Sequence, residues 1–228
     1  MDKKIDIVLR IEHTNLKPDA TIDDIVKLCN EAKQYGFFGV CVNSQYIKIA
    51  KEQLKRSRCK VITVVGFPLG ACISKIKAKE TEEAINVGAD EIDMVISIGL
   101  LKSKKYKDVM KDIKEVVEVA KGHPVKVIIE TSLLNNDEKR RACELAKDAG
   151  AAFVKTSTGF SKGGATVEDV KLMKMVVGDK IGVKAAGGIR DLPTALALIK
   201  AGADRLGCSS SVNIVEQLLD KKGGRNGR

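Results

Sequence analysis

The feature that most constrains the fold of this chain is an alternation of short apolar runs with amphipathic segments, repeated eight times along 228 residues. Alternating strands and helices favour parallel pairing with right-handed crossovers. Eight such units, of about 28 residues each, are typical of a single-domain (β/α)8 TIM barrel of the α/β class, and a doubly wound open sheet is the alternative. The predicted strands are residues 5–12, 39–42, 60–67, 91–96, 125–131, 153–156, 181–185 and 205–207.

The helical segments fall between these strands, and no linker or low-complexity stretch separates them. Residues 1–220 are therefore predicted to form one barrel domain. Residues 221–228 are lysine, glycine, arginine and asparagine without an apolar side chain, which predicts a disordered basic tail. The predicted helices are residues 21–35, 45–56, 72–88, 103–121, 136–149, 166–178, 191–202 and 211–221.

The formal net charge of +10 raises the question of a nucleic-acid partner. Along the predicted helices, however, basic residues alternate with acidic ones, as in Lys51-Glu52 and Lys107-Asp108, which is typical of solvated helix faces. Aromatic side chains are not interleaved with the basic ones, as base stacking would require. The sequence therefore predicts no nucleic-acid partner and favours a positive field that steers a phosphorylated metabolite.

Location and metal content follow from features that the sequence lacks. The N-terminus has neither the length nor the cleavage site of a signal peptide, and no window approaches the roughly 18 apolar residues of a membrane span. We therefore expect a soluble, cytoplasmic protein without a membrane partner. The six cysteines form no C-x-x-C pair, and no ligand cluster surrounds His13 or His123, so no metal site is predicted.

Charged residues interrupt three of the predicted strands. They are Lys155 in Phe-Val-Lys-Thr, Lys184 in Gly-Val-Lys-Ala, and Asp93, which alternation places on the face opposite to Ile92 and Met94. Buried strands normally consist of apolar and β-branched residues, and the carboxyl ends of barrel strands carry the chemistry in this fold. We expect the three side chains to converge in the barrel mouth. The alternatives are a surface position for Lys155 and an ion pair that only links the strands.

Two lysines on neighbouring strands favour Schiff-base chemistry. A lysine amine is a nucleophile only when neutral, and an unperturbed pKa near 10.4 leaves roughly one amine in a thousand neutral at pH 7. Recovering that factor takes roughly 4 kcal/mol, which burial and a second nearby cation can supply. Lys155 and Lys184 fit this requirement, and Asp93 is a candidate to move protons, through a bound water if needed.

Loops rich in glycine and serine follow the last three predicted strands. They contain residues 156–159 with 162–164, then 187–188, then 208–211. Glycine lets backbone N–H groups approach a phosphate, and phosphate sites in barrels recur after the seventh and eighth strands. A single Gly-Gly most often marks only a turn, but loops of this kind at both positions predict a phosphate site.

At these residues the sequence resembles the deoxyribose-phosphate aldolase family. The resemblance implies a class I aldolase on a (β/α)8 barrel that reversibly cleaves 2-deoxy-D-ribose 5-phosphate to acetaldehyde and D-glyceraldehyde 3-phosphate, in deoxyribonucleoside catabolism. It also implies that no metal or other cofactor is needed and that the protein forms a homo-oligomer, a dimer being the common form. The matching segments are residues 12–18, 39–43, 66–70, 91–96, 153–160, 163–166 and 183–190.

The resemblance assigns roles residue by residue. Lys155 is similar to the lysine that forms the imine, Lys184 to the partner that lowers its pKa, and Asp93 to the proton-relay carboxylate. Six residues resemble the phosphate and sugar contacts of the family: Thr158, Gly159, Gly187, Gly188, Ser209 and Ser210.

Three positions depart from the family pattern. Glu12 replaces an aspartate, Ser97 an asparagine and Ser211 a glycine. We expect the extra methylene of Glu12 to shift a polar network at the barrel mouth, and Ser211 to crowd the phosphate. Two other functions stay open, an aldolase for a different phosphorylated sugar and a catalytically silent barrel that binds a phosphosugar.

Overall fold

Eight parallel strands close into a barrel in chain order, because β8 pairs with β1 as well as with β7. The computed structural model describes residues 7–223 of the chain. The predicted (β/α)8 barrel is confirmed, and the open-sheet alternative is wrong. The strands are β1 (Ile11–Asn15), β2 (Gly39–Val42), β3 (Lys60–Val65), β4 (Glu91–Val95), β5 (Val125–Ile128), β6 (Phe153–Lys155), β7 (Gly182–Ala186) and β8 (Arg205–Cys208).

Helices connect the strands on the outside of the barrel. Short 3-10 helices cover Val8–Arg10, Ser44–Tyr46 and Thr131–Leu133. Within residues 7–223 the α-helices are α1 (Ile22–Tyr35), α2 (Ile47–Gln53), α3 (Ser74–Val87), α4 (Ile98–Lys102), α5 (Tyr106–Val119), α6 (Asn136–Asp148), α7 (Val167–Val177), α8 (Leu192–Lys200) and α9 (Ser211–Gly223).

The helix ends follow from local sequence signals. Thr21 forms a full capping box with Asp24 at the start of α1, so two otherwise unpaired backbone groups are satisfied there. Asp191 accepts a hydrogen bond from the N–H of Thr194, and a proline follows in the first turn of α8. Gly36 ends α1 with a φ of 71°, a left-handed conformation that costs glycine little.

Most of the hydrophobic core lies between the strands and the surrounding helices. Ile92 and Met94 of β4 belong to this layer, as the alternation predicted. A smaller cluster contains Leu16, Cys41 and Ile62. Cys41 is fully buried in this cluster, which supports a core role, and the burial raises the pKa of its thiol to about 11.

The first strand was predicted too early, at residues 5–12. Within the described chain, Val8–Arg10 form a 3-10 turn closed by a hydrogen bond from the Arg10 N–H to the Ile7 carbonyl, and β1 begins at Ile11. The spacing of Ile7, Leu9 and Ile11 imitates strand alternation, but Leu9 is exposed while Ile7 and Ile11 are buried. The short-range backbone hydrogen bond therefore decides the local structure.

The C-terminal helix extends beyond the predicted barrel domain. Helix α9 continues to Gly223, whereas the predicted disordered tail begins at residue 221. Residues 224–228 of that tail lie outside the described residues. No helix within residues 7–223 has the length and apolarity of a membrane span.

Candidate active site

Three charged side chains from three strands meet inside the barrel. Lys155 of β6 and Lys184 of β7 are paired in register, and each ammonium contacts Oδ2 of Asp93 on β4, at 2.8 Å and 2.6 Å respectively. Asp93 and Lys184 are fully buried, and Lys155 is 3% exposed. The structure thus brings together the three residues that the sequence singled out, and Lys155 does not lie on the surface.

A third lysine and two further carboxylates extend this group. The Lys126 ammonium lies 2.8 Å from Asp93 Oδ1, 2.7 Å from Glu91 Oε2 and 3.6 Å from Glu12 Oε1. Glu12 also forms an ion pair with Lys184. The Nε of Arg205 lies 3.9 Å from Glu12 Oε1. We call the following seven residues the ion cluster: Glu12, Glu91, Asp93, Lys126, Lys155, Lys184 and Arg205.

The ion cluster contains four basic side chains and three carboxylates. If one amine is neutral, the positive and negative charges are equal in number. Lys126 contacts carboxylates of three residues and Lys184 of two, whereas in the described chain Lys155 contacts only Asp93. Lys155 therefore has the fewest carboxylate contacts of the three lysines in the cluster.

The electrostatics of the cluster keep Lys184, Lys126 and Asp93 ionised. Burial lowers the pKa of Lys184, but the carboxylates of Asp93 and Glu12 outweigh it, so the pKa is raised above its ordinary value. The pKa of Lys126 is raised in the same way, mainly by Asp93 and Glu12 against the effect of burial. Burial raises the pKa of Asp93, and the three ammonium groups outweigh it and hold that pKa well below its usual range.

A cavity of about 870 Å³ opens next to the ion cluster. Lys155 lines it, while Lys184 and Asp93 are fully buried beside Lys155. A ligand in the cavity therefore meets the amine of Lys155 before it meets the other two residues. The six predicted phosphate and sugar contacts also line this cavity: Thr158, Gly159, Gly187, Gly188, Ser209 and Ser210.

The loops after β6 and β7 approach each other so closely that glycine is required. A Cβ on Gly164 would lie 2.4 Å from the Gly187 carbonyl oxygen, which no side chain can tolerate. The neighbouring N–H of Ala165 donates to the same carbonyl at 3.0 Å. Gly187 itself has a φ of 88°. The two loops therefore form one rigid wall of the cavity, with backbone groups at its surface.

Comparisons with known proteins bear on this arrangement. The sequence profile of the DeoC/LacD family aldolase matches residues 6–217. The chain belongs to the DeoC/LacD family of aldolases. It is 61% identical over 216 residues to the deoxyribose-phosphate aldolase of Thermococcus gammatolerans, covering 93% of this chain and 96% of that one.

Solved structures of the DeoC/LacD type superpose on nearly the whole chain. The aldolase QR15 has a TM-score of 0.91 and 41% identity, and the match covers 96% of this chain and 98% of QR15. A tetrameric deoxyribose phosphate aldolase from Aeropyrum pernix has a TM-score of 0.87 and 32% identity, and covers 93% of this chain and 90% of its own.

Several site residues of this DeoC/LacD-family chain were missed by the sequence analysis. Lys126 is preceded by a buried valine in a strand, as are Lys155 and Lys184, so the Val-Lys pairs were an available signal. Glu130 follows β5 with a φ of 54° and accepts hydrogen bonds from the hydroxyl and the N–H of Thr158. The sequence carries no comparable signal for Glu130, because its role depends on a loop 28 residues away.

Two of the departures from the family pattern can be placed. Glu12 is fully buried and forms ion pairs with Lys184 and Lys126, so it belongs to the polar network in which it was expected. The expectation that Ser211 crowds the phosphate is wrong. Its side chain is fully buried and donates to the Cys208 carbonyl at 2.9 Å, so it turns away from the cavity.

Proposed function

We propose that the protein is a class I aldolase, a carbon–carbon lyase that reversibly cleaves 2-deoxy-D-ribose 5-phosphate to acetaldehyde and D-glyceraldehyde 3-phosphate. The observation that carries this proposal is the position of Lys155 between the cavity and the buried pair of Asp93 and Lys184. The family membership and the name of the 61% identical relative support the substrate.

Catalysis begins with attack of the Lys155 amine on the aldehyde carbon of the open-chain sugar. The cluster charge balances when this amine is neutral, and the Lys184 ammonium beside it disfavours a second positive charge. Loss of water from the carbinolamine gives an imine. Its protonated form withdraws electrons from the bond between the second and third carbons of the sugar.

Cleavage of that bond requires a base at the 3-hydroxyl. Asp93 stays ionised and lies 2.8 Å from the Lys155 nitrogen, so it can take this proton through a bound water. D-glyceraldehyde 3-phosphate leaves, and the electron pair of the broken bond forms an enamine on Lys155. Return of a proton to the enamine carbon and hydrolysis of the imine release acetaldehyde and the free amine.

The phosphate lies at the end of the cavity that the loops after β6, β7 and β8 form. Gly187 and Gly188 present backbone groups there, and Ser209 and Ser210 precede the first turn of α9. Backbone N–H groups at a helix N-terminus favour an anion. Arg190 and Lys17 also line the cavity and add positive charge.

A substrate comparison tests this function. We expect turnover of 2-deoxy-D-ribose 5-phosphate with a kcat/KM at least about tenfold above that for ribose 5-phosphate. Release of acetaldehyde measures the turnover of the deoxy sugar. Higher kcat/KM for another phosphorylated sugar would favour the alternative aldolase. Absence of turnover in protein shown to be folded would favour the silent phosphosugar-binding barrel.

The assembly and location are part of the same proposal. From the family resemblance we propose that the protein forms a homo-oligomer, specifically a dimer. The tetrameric Aeropyrum pernix structure supports an oligomeric state. Light scattering of the purified full chain distinguishes dimer, tetramer and monomer. A cytoplasmic role in deoxyribonucleoside catabolism and carbohydrate degradation is consistent with the proposed substrate.

A further inference from the structure

A chain of hydrogen bonds beside the turn of residues 208–211 joins β1, α1 and α9, and two of its members, His13 and Glu31, line the same cavity as the turn. Nδ1 of His13 on β1 lies 3.0 Å from the hydroxyl of Ser211, the first residue of α9, and Nε2 lies 2.8 Å from Oε2 of Glu31 on α1. His13 is 3% exposed and Ser211 is fully buried. The ring of His13 also packs against Phe37, with centroids 5.3 Å apart. The ring therefore has one fixed orientation.

The donors and acceptors of this chain can be assigned. Nε2 faces a carboxylate, so it carries a hydrogen that it donates to Glu31. The Ser211 hydroxyl donates to the Cys208 carbonyl at 2.9 Å. His13 Nδ1 lies 3.0 Å and Cys208 Sγ 3.4 Å from the same hydroxyl oxygen. Ser211 is thus in hydrogen-bond contact with His13, and Glu31 holds the ring.

The turn held in this way is the one that faces the cavity. Cys208, Ser209 and Ser210 line it, whereas Ser211 is fully buried and does not. This contact departs from the family pattern, in which a glycine, without a hydroxyl, often stands at position 211. The backbone ladder between β1 and β8 ends at the pair of His13 and Cys208, and the hydrogen bond between His13 and Ser211 extends this connection to the first residue of α9.

We propose that His13 and Ser211, held by Glu31, are positioning residues for the phosphate-binding turn and determine the preference for phosphorylated over unphosphorylated substrate. This inference rests on the proposed function. The phosphate is the part of the substrate that the turn contacts, and the reacting carbons lie at Lys155. Loosening the turn therefore weakens phosphate binding and leaves the chemistry at the imine in place.

The test compares Ser211→Ala with Ser57→Ala as a matched control. Ser57 lies elsewhere in the chain, after α2, and its hydroxyl also donates to the carbonyl three residues before it, at 2.8 Å. We measure kcat and KM for 2-deoxy-D-ribose 5-phosphate and for 2-deoxy-D-ribose, and the affinity for inorganic phosphate by calorimetry. Loss of one hydrogen bond predicts a rise of about fivefold in KM for the phosphorylated sugar and in Kd for phosphate.

The same Ser211→Ala variant should keep kcat within about twofold and show no matching loss on unphosphorylated 2-deoxyribose. Ser57→Ala should change none of these values. Equal losses on both sugars, or unchanged phosphate affinity, would overturn the proposal. If Ser211→Ala does not fold, Ser211→Gly is the second variant, since glycine is the residue of the family pattern at this position and also lacks the hydroxyl, and the same rise in Kd for phosphate is expected.

The proposed function and this inference fail in different ways. Absent turnover by the unmodified protein would refute the aldolase activity, and the phosphate titration would still decide the role of His13 and Ser211. Normal turnover with the same phosphate affinity in Ser211→Ala would refute only the positioning role.

Discussion

Lys155 and Lys184 are register partners on β6 and β7, and their ammonium nitrogens contact the same oxygen of Asp93. Parallel strands one βα unit apart place the two side chains on the same inner face of the barrel. This geometry puts a second cation beside the proposed nucleophile and one carboxylate between them.

The first prediction concerns the charge of Lys184. Because this ammonium disfavours a second charge beside it, Lys184→Leu should move the rising limb of the pH–rate profile to higher pH by about one unit or more. The measurement is kcat/KM against pH, with Lys51→Leu as the control, since Lys51 pairs with Asp90 away from the cluster. An unmoved profile in Lys184→Leu would leave this residue with a binding role only.

The second prediction separates proton transfer from imine formation. Asp93→Asn keeps the shape of the side chain but removes the proposed base, so kcat should fall by about 10² to 10⁴. Reaction of Lys155 with an aldehyde should persist and be detectable by reductive trapping. Asp90→Asn, at a partly exposed ion pair, is the control. Nearly normal kcat in Asp93→Asn would contradict the relay role.

The third prediction concerns the wall between the loops after β6 and β7. In Gly164→Ala the new methyl group would lie 2.4 Å from the Gly187 carbonyl, so the loops must separate. We expect KM for the phosphorylated sugar to rise by about tenfold or more, because the backbone groups that bind it move. Gly99→Ala is the control, since a Cβ there meets nothing within 4 Å. Equal KM values in the two variants would show that the wall tolerates the methyl group.

The fourth prediction concerns stability at low pH. Burial raises the pKa of Asp93. The contacts with Lys126, Lys155 and Lys184 outweigh this effect, so the pKa of Asp93 lies well below its ordinary value. A lowered carboxylate pKa adds stability that is fully present above the unfolded pKa, about 3.9, and is lost as the pH falls toward the folded pKa.

The free energy of unfolding should therefore decrease as the pH falls from about 5 to about 2. Urea unfolding followed by circular dichroism measures this dependence. Asp93→Asn should show a weaker dependence over the same range, because it lacks the titrating group. Parallel curves for the two proteins would mean that other carboxylates cause the acid sensitivity.

The sequence was sufficient for the barrel because strand and helix periods differ and their alternation repeats eight times. The sequence was also sufficient to predict that Asp93, Lys155 and Lys184 lie together inside the barrel, because a charge inside an apolar strand is unusual. The predicted start of β1 was wrong, because the alternation of Ile7, Leu9 and Ile11 does not reveal the backbone hydrogen bond of a 3-10 turn.

Contacts between residues far apart in the chain could not be predicted from the sequence. Glu130 bonds Thr158, and Ser211 bonds His13 across 198 positions of the chain. Neither pair has a local pattern, because only closure of the barrel brings the partners together. The family pattern marked Ser211 as unusual, but the direction of its side chain, away from the cavity, required the structure.

The central claim is that the Lys155 amine forms an imine with the sugar. Borohydride reduction in the presence of 2-deoxy-D-ribose 5-phosphate, followed by peptide mass spectrometry, tests it most directly. The account predicts one stable adduct, on Lys155, and its loss in Lys155→Ala together with all turnover. An adduct on Lys184 would reverse the roles of the two lysines, and no adduct in folded protein would contradict the imine mechanism itself.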